Sequence, residues 1–106
     1  MSVTREDAGL MVIETTTFRL TEGTGEEQFL AADERARTGF LYRQRGLLRA
    51  TTALGGDGEW IVVVLWATDD DADAAAARAG ADPASAELRG LVNSATLVRR
   101  RYNTFD

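Results

Sequence analysis

Residues 60–67 read WIVVVLWA, and this run of eight apolar side chains decides the fold of the chain. A β-strand directs alternate side chains to opposite faces of its sheet, so a strand that is apolar at every position needs burial on both faces. Helices can cover one face, but 106 residues provide too few elements to cover both. A second copy of the chain is the expected cover for the other face, and the sequence therefore predicts a homodimer.

Alternating apolar residues and turn signals predict four strands, at residues 10–20, 47–54, 59–67 and 94–102. The loop GGDG at residues 55–58 is so short that the second and third strands must pair antiparallel. Helical periodicity predicts a first helix over residues 25–44, and Gly46 is its expected left-handed stop. Thr24 and Glu27 have the spacing of a capping box at the start of this helix.

Two shorter helices are expected between the third and last strands. The stretch DDDADAAAARAG at residues 69–80 is acidic and rich in alanine, and it predicts a helix of about two turns that Gly80 ends. Asp82 then caps a further short helix with Pro83 at its first position. Residues 1–9 are polar, and we expect them to form a flexible N-terminal segment.

The predicted order of elements is strand, helix, strand, strand, helix, strand, which is the order of the ferredoxin-like split βαβ unit. Right-handed crossovers then place the strands in the order 4-1-3-2, with the helices on one face of an antiparallel four-stranded sheet. The predicted fold class is therefore α+β. Residues 60–67 form a central strand in this order, and the face without helices is free to meet a partner.

Three stretches of the chain carry a resemblance to a known family. They are LTEGTGEEQF at residues 20–29, GLLRATTALGGDGEWIVVVLWATDDDADAAAA at residues 46–77 and LVRRRY at residues 97–102. With them the chain resembles the antibiotic biosynthesis monooxygenase-like family of dimeric α+β barrels. The resemblance implies a single barrel domain over residues 10–106, and a superfamily that includes quinone-forming oxygenases working without metal or flavin.

The resemblance also implies a substrate pocket. Trp66 matches the Trp that ends the third strand in such proteins and walls the pocket between sheet and helices. Thr16 stands approximately where oxygenase members often carry Asn, and its hydroxyl offers one donor in place of an amide. Phe29 is expected to pack against Trp66, and Tyr42 or Tyr102 would provide polar handles. No residue presents itself as a catalytic base.

The chain contains no Cys, no His and no Lys, and these absences limit its chemistry. They exclude disulfides, thiolate nucleophiles, imidazole ligands, a Ser-His-Asp triad and Schiff bases. Haem degradation through a histidine ligand is excluded with them. We expect no metal and no cofactor, so that any chemistry would come largely from the substrate.

The acidic residues at 69–73 match part of a calcium-binding loop but lack two residues that the loop requires. Asp69, Asp71 and Asp73 match the opening of a calcium loop. Ala74 stands where that loop needs glycine, and Gly80 stands where it needs glutamate. A solvated helix start, favoured by the helix dipole, is the interpretation that we adopt.

Arg99, Arg100 and Arg101 form a basic stretch in a chain whose formal charge is -5. Without a wider basic groove, they do not indicate nucleic-acid binding. They can protect an edge strand or form a salt bridge across a dimer contact. Alternatively, one of them can face a pocket together with Arg49 and hold an anionic ligand oxygen. Strand parity alone leaves these alternatives open.

Two function classes remain open from the sequence. One is a cofactor-independent oxygenase that acts on an aromatic or polyketide-like small molecule. The other is a non-catalytic small-molecule-binding or structural dimer. The longest apolar stretch is the strand itself, too short for a membrane span, and no targeting segment precedes it, so we expect a cytoplasmic location and no membrane partner.

Overall fold

A computed structural model describes residues 11–105, so the flexible segment expected at residues 1–9 lies outside the described residues. The strands within this range are β1 Val12–Leu20, β2 Leu47–Leu54, β3 Trp60–Trp66 and β4 Val92–Asn103. The helices are α1 Glu26–Gly39, α2 Asp69–Ala79 and α3 Pro83–Gly90, with a 3-10 turn at Leu41–Arg43.

The four strands form one antiparallel sheet in the order β2-β3-β1-β4. This order confirms the predicted α+β, ferredoxin-like arrangement and places β3 between two neighbours. The register pairs Val12 with Trp66 and Phe18 with Trp60, so both tryptophans lie on the same face of the sheet. We call this side the helix face, because all three helices contribute side chains that pack against it.

The core on the helix face is divided into two clusters. Near one end of β3, Trp66 packs with Val12 and Val64 of the sheet and with Ala72 and Ala75 of α2. Near the other end, Trp60 packs with Phe18 and with Phe29 of α1, and the cluster continues to side chains of α3.

The opposite side of the sheet, which we call the open sheet face, has no described helix packed against it. Register places these side chains on it: Ile13 and Tyr102, Thr17 and Val98, Ile61, Val63 and Leu65. Its centre is apolar, while Val98 and Tyr102 toward the β4 edge are 45% and 49% exposed. The two-sided apolar character of β3 therefore corresponds to one face buried by helices and one face left available.

Local signals set several element ends, although Gly46 stands directly before β2 and not at the end of α1 as expected. Gly46 adopts a φ of 82°, and a side chain there would collide with the Asp71 carboxylate, so this turn requires glycine. The Asp82 carboxylate caps α3 by accepting from the Ser85 N–H at 2.7 Å. The Thr68 hydroxyl caps α2 by accepting from the Asp71 N–H at 3.0 Å. With eleven residues, α2 is longer than the two turns expected.

The predicted start of α1 near Gly25 is confirmed, but its capping box and its predicted end were wrong. The capping box does not form, because the Thr24 hydroxyl lies 2.6 Å from the Thr21 hydroxyl and Gly25 becomes the N-cap without a side-chain bond. The helix ends at Gly39 instead of residue 44, since glycine is a poor helix former. Phe40 and Leu41 then turn inward and line a cavity.

Candidate ligand cavity

A cavity of about 280 Å³ lies between the helix face of the sheet and the helices α1 and α3. Its floor on the sheet consists of Thr16, Phe18, Val62 and Val64. Its other walls come from α1 and the 3-10 turn, from α3 and from β4, and they include Ala36, Phe40, Leu41, Leu88 and Val92. The volume is at the small end of the range for ligand sites, and the lining is mostly apolar, as in such sites.

The cavity follows from the sizes of the side chains around it. Trp60 and Trp66 fill the two ends of β3, while the smaller Val62 and Thr16 occupy the middle of the sheet. Above this middle region, α1 presents Ala36. Because interiors are otherwise close-packed, small residues facing each other across a layer leave a void.

One wall of the cavity is a buried ion pair on α1. Arg37 Nε donates to Asp33 Oδ2 at 3.1 Å, and the Thr52 hydroxyl donates to the same oxygen at 2.9 Å. Asp33 is only 6% exposed. Burial opposes the charge on Arg37, but its hydrogen bond to Tyr42 and the Asp33 carboxylate outweigh this effect and raise the pKa of the guanidinium. The pair is therefore a fixed polar group in a largely apolar wall.

Arg99 and Arg89 line the cavity from β4 and α3. Both side chains are exposed, so they stand where the cavity opens to solvent. Arg89 donates to the carbonyl of Ala79 at 3.0 Å. Arg99 pairs in the sheet with Thr16, which places it directly beside the cavity floor. This opening is therefore cationic.

The other residues of the basic stretch have different surroundings. Arg101 forms a cluster with three carboxylates, Glu14 at 3.2 Å, Asp73 at 2.7 Å and Asp69 at 3.5 Å. The hydrogen bond to Asp73 and the nearby Glu14 charge raise the pKa of Arg101 despite its partial burial. Arg101 thus ties the acidic start of α2 to the sheet by a salt bridge within the chain.

Strand register places the remaining two arginines on the open sheet face, away from the cavity. Arg100 lies opposite Thr15 there, and Arg49 lies opposite Leu65. The idea that Arg49 shares a pocket with one residue of the basic stretch was therefore wrong. Of the four arginines Arg49, Arg99, Arg100 and Arg101, only Arg99 lines the cavity.

No protein-family model matches the sequence, and a search of curated proteins finds no match. Solved structures do match. SnoaB, a cofactor-independent oxygenase from Streptomyces nogalater, superimposes with a TM-score of 0.74 at 21% identity, over 91% of this chain and 94% of that chain. The chain has the fold of antibiotic biosynthesis monooxygenase-like proteins.

Two further structures show the same likeness. A proposed antibiotic biosynthesis monooxygenase from Bordetella bronchiseptica has a TM-score of 0.73 at 18% identity, over 89% of this chain and 96% of that chain. Another from Chloroflexus aurantiacus has a TM-score of 0.67 at 16% identity, over 91% of this chain and 94% of that chain. The family resemblance read from the sequence is thus confirmed at the level of fold.

Within this monooxygenase-like fold, the expected site residues do not gather at one place. Thr16 lines the cavity. Trp66 borders a neighbouring pocket beside α2 and is 2% exposed, while its indole N–H points to Glu14 Oε1 at 3.4 Å. Trp66 is therefore a core residue with a polar partner. Tyr42 is 53% exposed and its hydroxyl accepts a hydrogen bond from Arg37. It contacts the Asp33–Arg37 pair but does not line the cavity.

Two of the expected pocket residues lie elsewhere. Phe29 is fully buried and packs on Trp60 and Phe18, with ring centroids 4.7 Å and 5.5 Å away. The expected contact of Phe29 with Trp66 was wrong, because the first turn of α1, which carries Phe29, lies over the Trp60 end of β3. Tyr102 pairs with Ile13 and lies on the open sheet face, so strand alternation directs it away from the cavity.

The sequence analysis missed the buried pair Asp33 and Arg37. A signal for it exists, because Asp33 falls four residues after Phe29 and one after Ala32, inside the apolar stripe of α1. A carboxylate at a buried helical position needs a partner, and Arg37 lies one turn further on the same face.

We expect divalent cations to leave the stability of this protein unchanged. Among residues 11–105, no group of three Asp, Glu, His or Cys side chains is placed to hold a metal ion. Arg101 occupies the space between the carboxylates of Asp69 and Asp73. The melting temperature should therefore stay unchanged when EDTA, Ca²⁺ or Mg²⁺ is added in differential scanning fluorimetry. A rise of many degrees with either cation would overturn the assignment of these carboxylates to Arg101.

The longest helix within residues 11–105 is α1 with 14 residues, and neither it nor any other described helix is long and apolar enough to cross a bilayer.

Proposed function

We propose that this protein binds a compact, electron-rich aromatic molecule in the cavity and oxidises it with O₂ without a cofactor. The observation that carries the proposal is the mostly apolar cavity between the helices and the sheet, in a fold shared with a cofactor-independent oxygenase. Apolar walls with a few convergent polar groups are the usual composition of a small-molecule site.

A hydroxylated anthrone illustrates the reaction class. Its CH₂ group loses two hydrogens and gains one oxygen atom of O₂, and the second oxygen atom leaves with both hydrogens as water. The substrate supplies four electrons, and the products are a quinone and H₂O. The ionised form of such a substrate gives up electrons to O₂ more readily than the neutral form, so a protein can promote the reaction by stabilising the anion.

The residues of the cavity suit these tasks without His or Cys. The apolar floor, with Val62 and Val64, excludes water from the bound ring. The Asp33–Arg37 pair and the Thr16 hydroxyl offer hydrogen bonds that orient the substrate's oxygen atoms. Arg99 supplies positive charge where the anion develops.

Filling the cavity should lower this activity. In Ala36→Leu the added side chain enters the cavity, and we expect kcat/KM to fall by roughly tenfold or more. The matched control is Ala31→Leu, which adds the same atoms at an exposed position of the same helix and should behave like the wild type. The measurement is O₂ consumption with 1,8-dihydroxyanthrone, corrected for the rate without protein.

A wild-type rate equal to the uncatalysed rate would remove the oxygenase proposal. The non-catalytic binding protein would then be retained if the corresponding quinone still quenches Trp fluorescence in the wild type and not in Ala36→Leu. The burial of Trp66 and its bond to Glu14 favour this second function, because its indole N–H is already occupied by the protein.

We propose in addition that a second copy of the chain covers the open sheet face. Ile61, Val63 and Leu65 form an apolar centre there, and the described helices all pack on the other side. Apolar patches of this kind mark interfaces, and a two-fold axis lets the same face serve both partners. The cytoplasmic location expected from the sequence stays a prediction.

A further inference from the structure

Three arginines line the cavity, and their partners differ. Arg37 is held by Asp33, and Arg89 donates to the Ala79 carbonyl. The backbone of Arg99 pairs within the sheet, but its side chain has neither an ion-pair nor a hydrogen-bond partner among residues 11–105. The Arg99 guanidinium, which lies beside an apolar cavity, is therefore available to an incoming ligand.

The surroundings of Arg99 are also unlike those of Arg101, its neighbour on the same face of β4. Arg101 is surrounded by three carboxylates, whereas the side chain paired with Arg99 in the sheet is Thr16, which is uncharged. The only carboxylate lining the cavity within the described residues is Asp33, and it is engaged by Arg37 and Thr52. Glu14 lines the neighbouring pocket together with Arg99, but it is engaged by Arg101 and Trp66. No carboxylate of the described residues therefore forms an ion pair with Arg99.

We propose that Arg99 is a specificity-determining residue that selects aromatic ligands carrying an ionised oxygen, a carboxylate or a phenolate. This inference rests on the proposed ligand cavity. Guanidinium donors bind such oxygens through charge-assisted hydrogen bonds, and the apolar lining strengthens the attraction once the ligand displaces water. The ring occupies the apolar floor, and its anionic oxygen remains at the opening beside Arg99.

Calorimetric titration with two probes of equal shape tests whether Arg99 selects anionic ligands. The probes are 2-naphthoate, which is an anion, and 2-naphthamide, which is neutral. We expect the wild type to bind 2-naphthoate roughly tenfold more tightly than 2-naphthamide, and Arg99→Gln to lose this preference while keeping its affinity for the amide.

Arg45→Gln is the matched control. Arg45 is exposed and lines neither pocket, so the variant removes the same charge elsewhere and should keep the wild-type preference. Equal affinity of the wild type for both probes, or an unchanged preference in Arg99→Gln, would overturn the role of Arg99. Binding of neither probe to the wild type would instead overturn the cavity as a ligand site.

The ionisation of bound 2-naphthol distinguishes the two kinds of anion. If Arg99 holds a phenolate, the pKa of bound 2-naphthol, followed by its absorbance, lies lower in the wild type than in Arg99→Gln. The same pKa in both proteins, together with a retained preference for 2-naphthoate in the wild type, would restrict the ligand class to carboxylates. A higher pKa in the wild type than in the variant would contradict the proposal.

Discussion

Trp66→Ala should lower the free energy of unfolding by about 3 to 5 kcal/mol. Trp66 is 2% exposed and packs on Val12, Val64 and two alanines of α2, so its removal leaves a void that the rigid sheet cannot close. The truncation also leaves the Glu14 carboxylate without its indole partner. Urea denaturation followed by circular dichroism measures the effect, at one fixed protein concentration because the protein is proposed to be a dimer.

Trp66→Phe is the control for this variant. It keeps most of the packing and removes only the indole N–H, so it should cost distinctly less than Trp66→Ala. A loss below about 1 kcal/mol for Trp66→Ala would contradict the core assignment and return Trp66 to the pocket wall. Ligand quenching of Trp66 fluorescence in a Trp60→Phe background would support that reversal.

Val63→Asp should convert the dimer into a monomer and reduce solubility. Val63 lies at the centre of the open sheet face, whereas Val62 lines the cavity on the other side. Burying an unpaired carboxylate costs several kcal/mol, and a two-fold interface contains the substitution twice. Light scattering at micromolar concentration measures the mass of the wild type and the variant.

Ala31→Asp adds the same charge at an exposed position of α1, and it should leave the mass of the dimer unchanged. A wild type that is monomeric under these conditions would overturn the homodimer, and a Val63→Asp variant that stays dimeric would place the interface elsewhere.

The candidate site was only partly predictable from the sequence. Thr16 lines the cavity, but Phe29 belongs to a different core cluster from Trp66. The cavity depends on which side chains of α1 lie above the middle of the sheet, and this follows from where the helix crosses the strands. Helical periodicity predicts which face of α1 is buried and contains no information about its position along β3.

The sequence by itself determined the strands, the hairpin and the four-stranded order, because a two-sided apolar strand and a GGDG loop are compatible with few topologies. Only the tertiary structure decided what each arginine of β4 does. Alternation shows that Arg99 and Arg101 share a face, but β4 has no apolar periodicity to say which face that is. Pairing of Arg99 with Thr16 and of Arg101 with Glu14 on β1 places Arg99 beside the cavity and Arg101 among carboxylates.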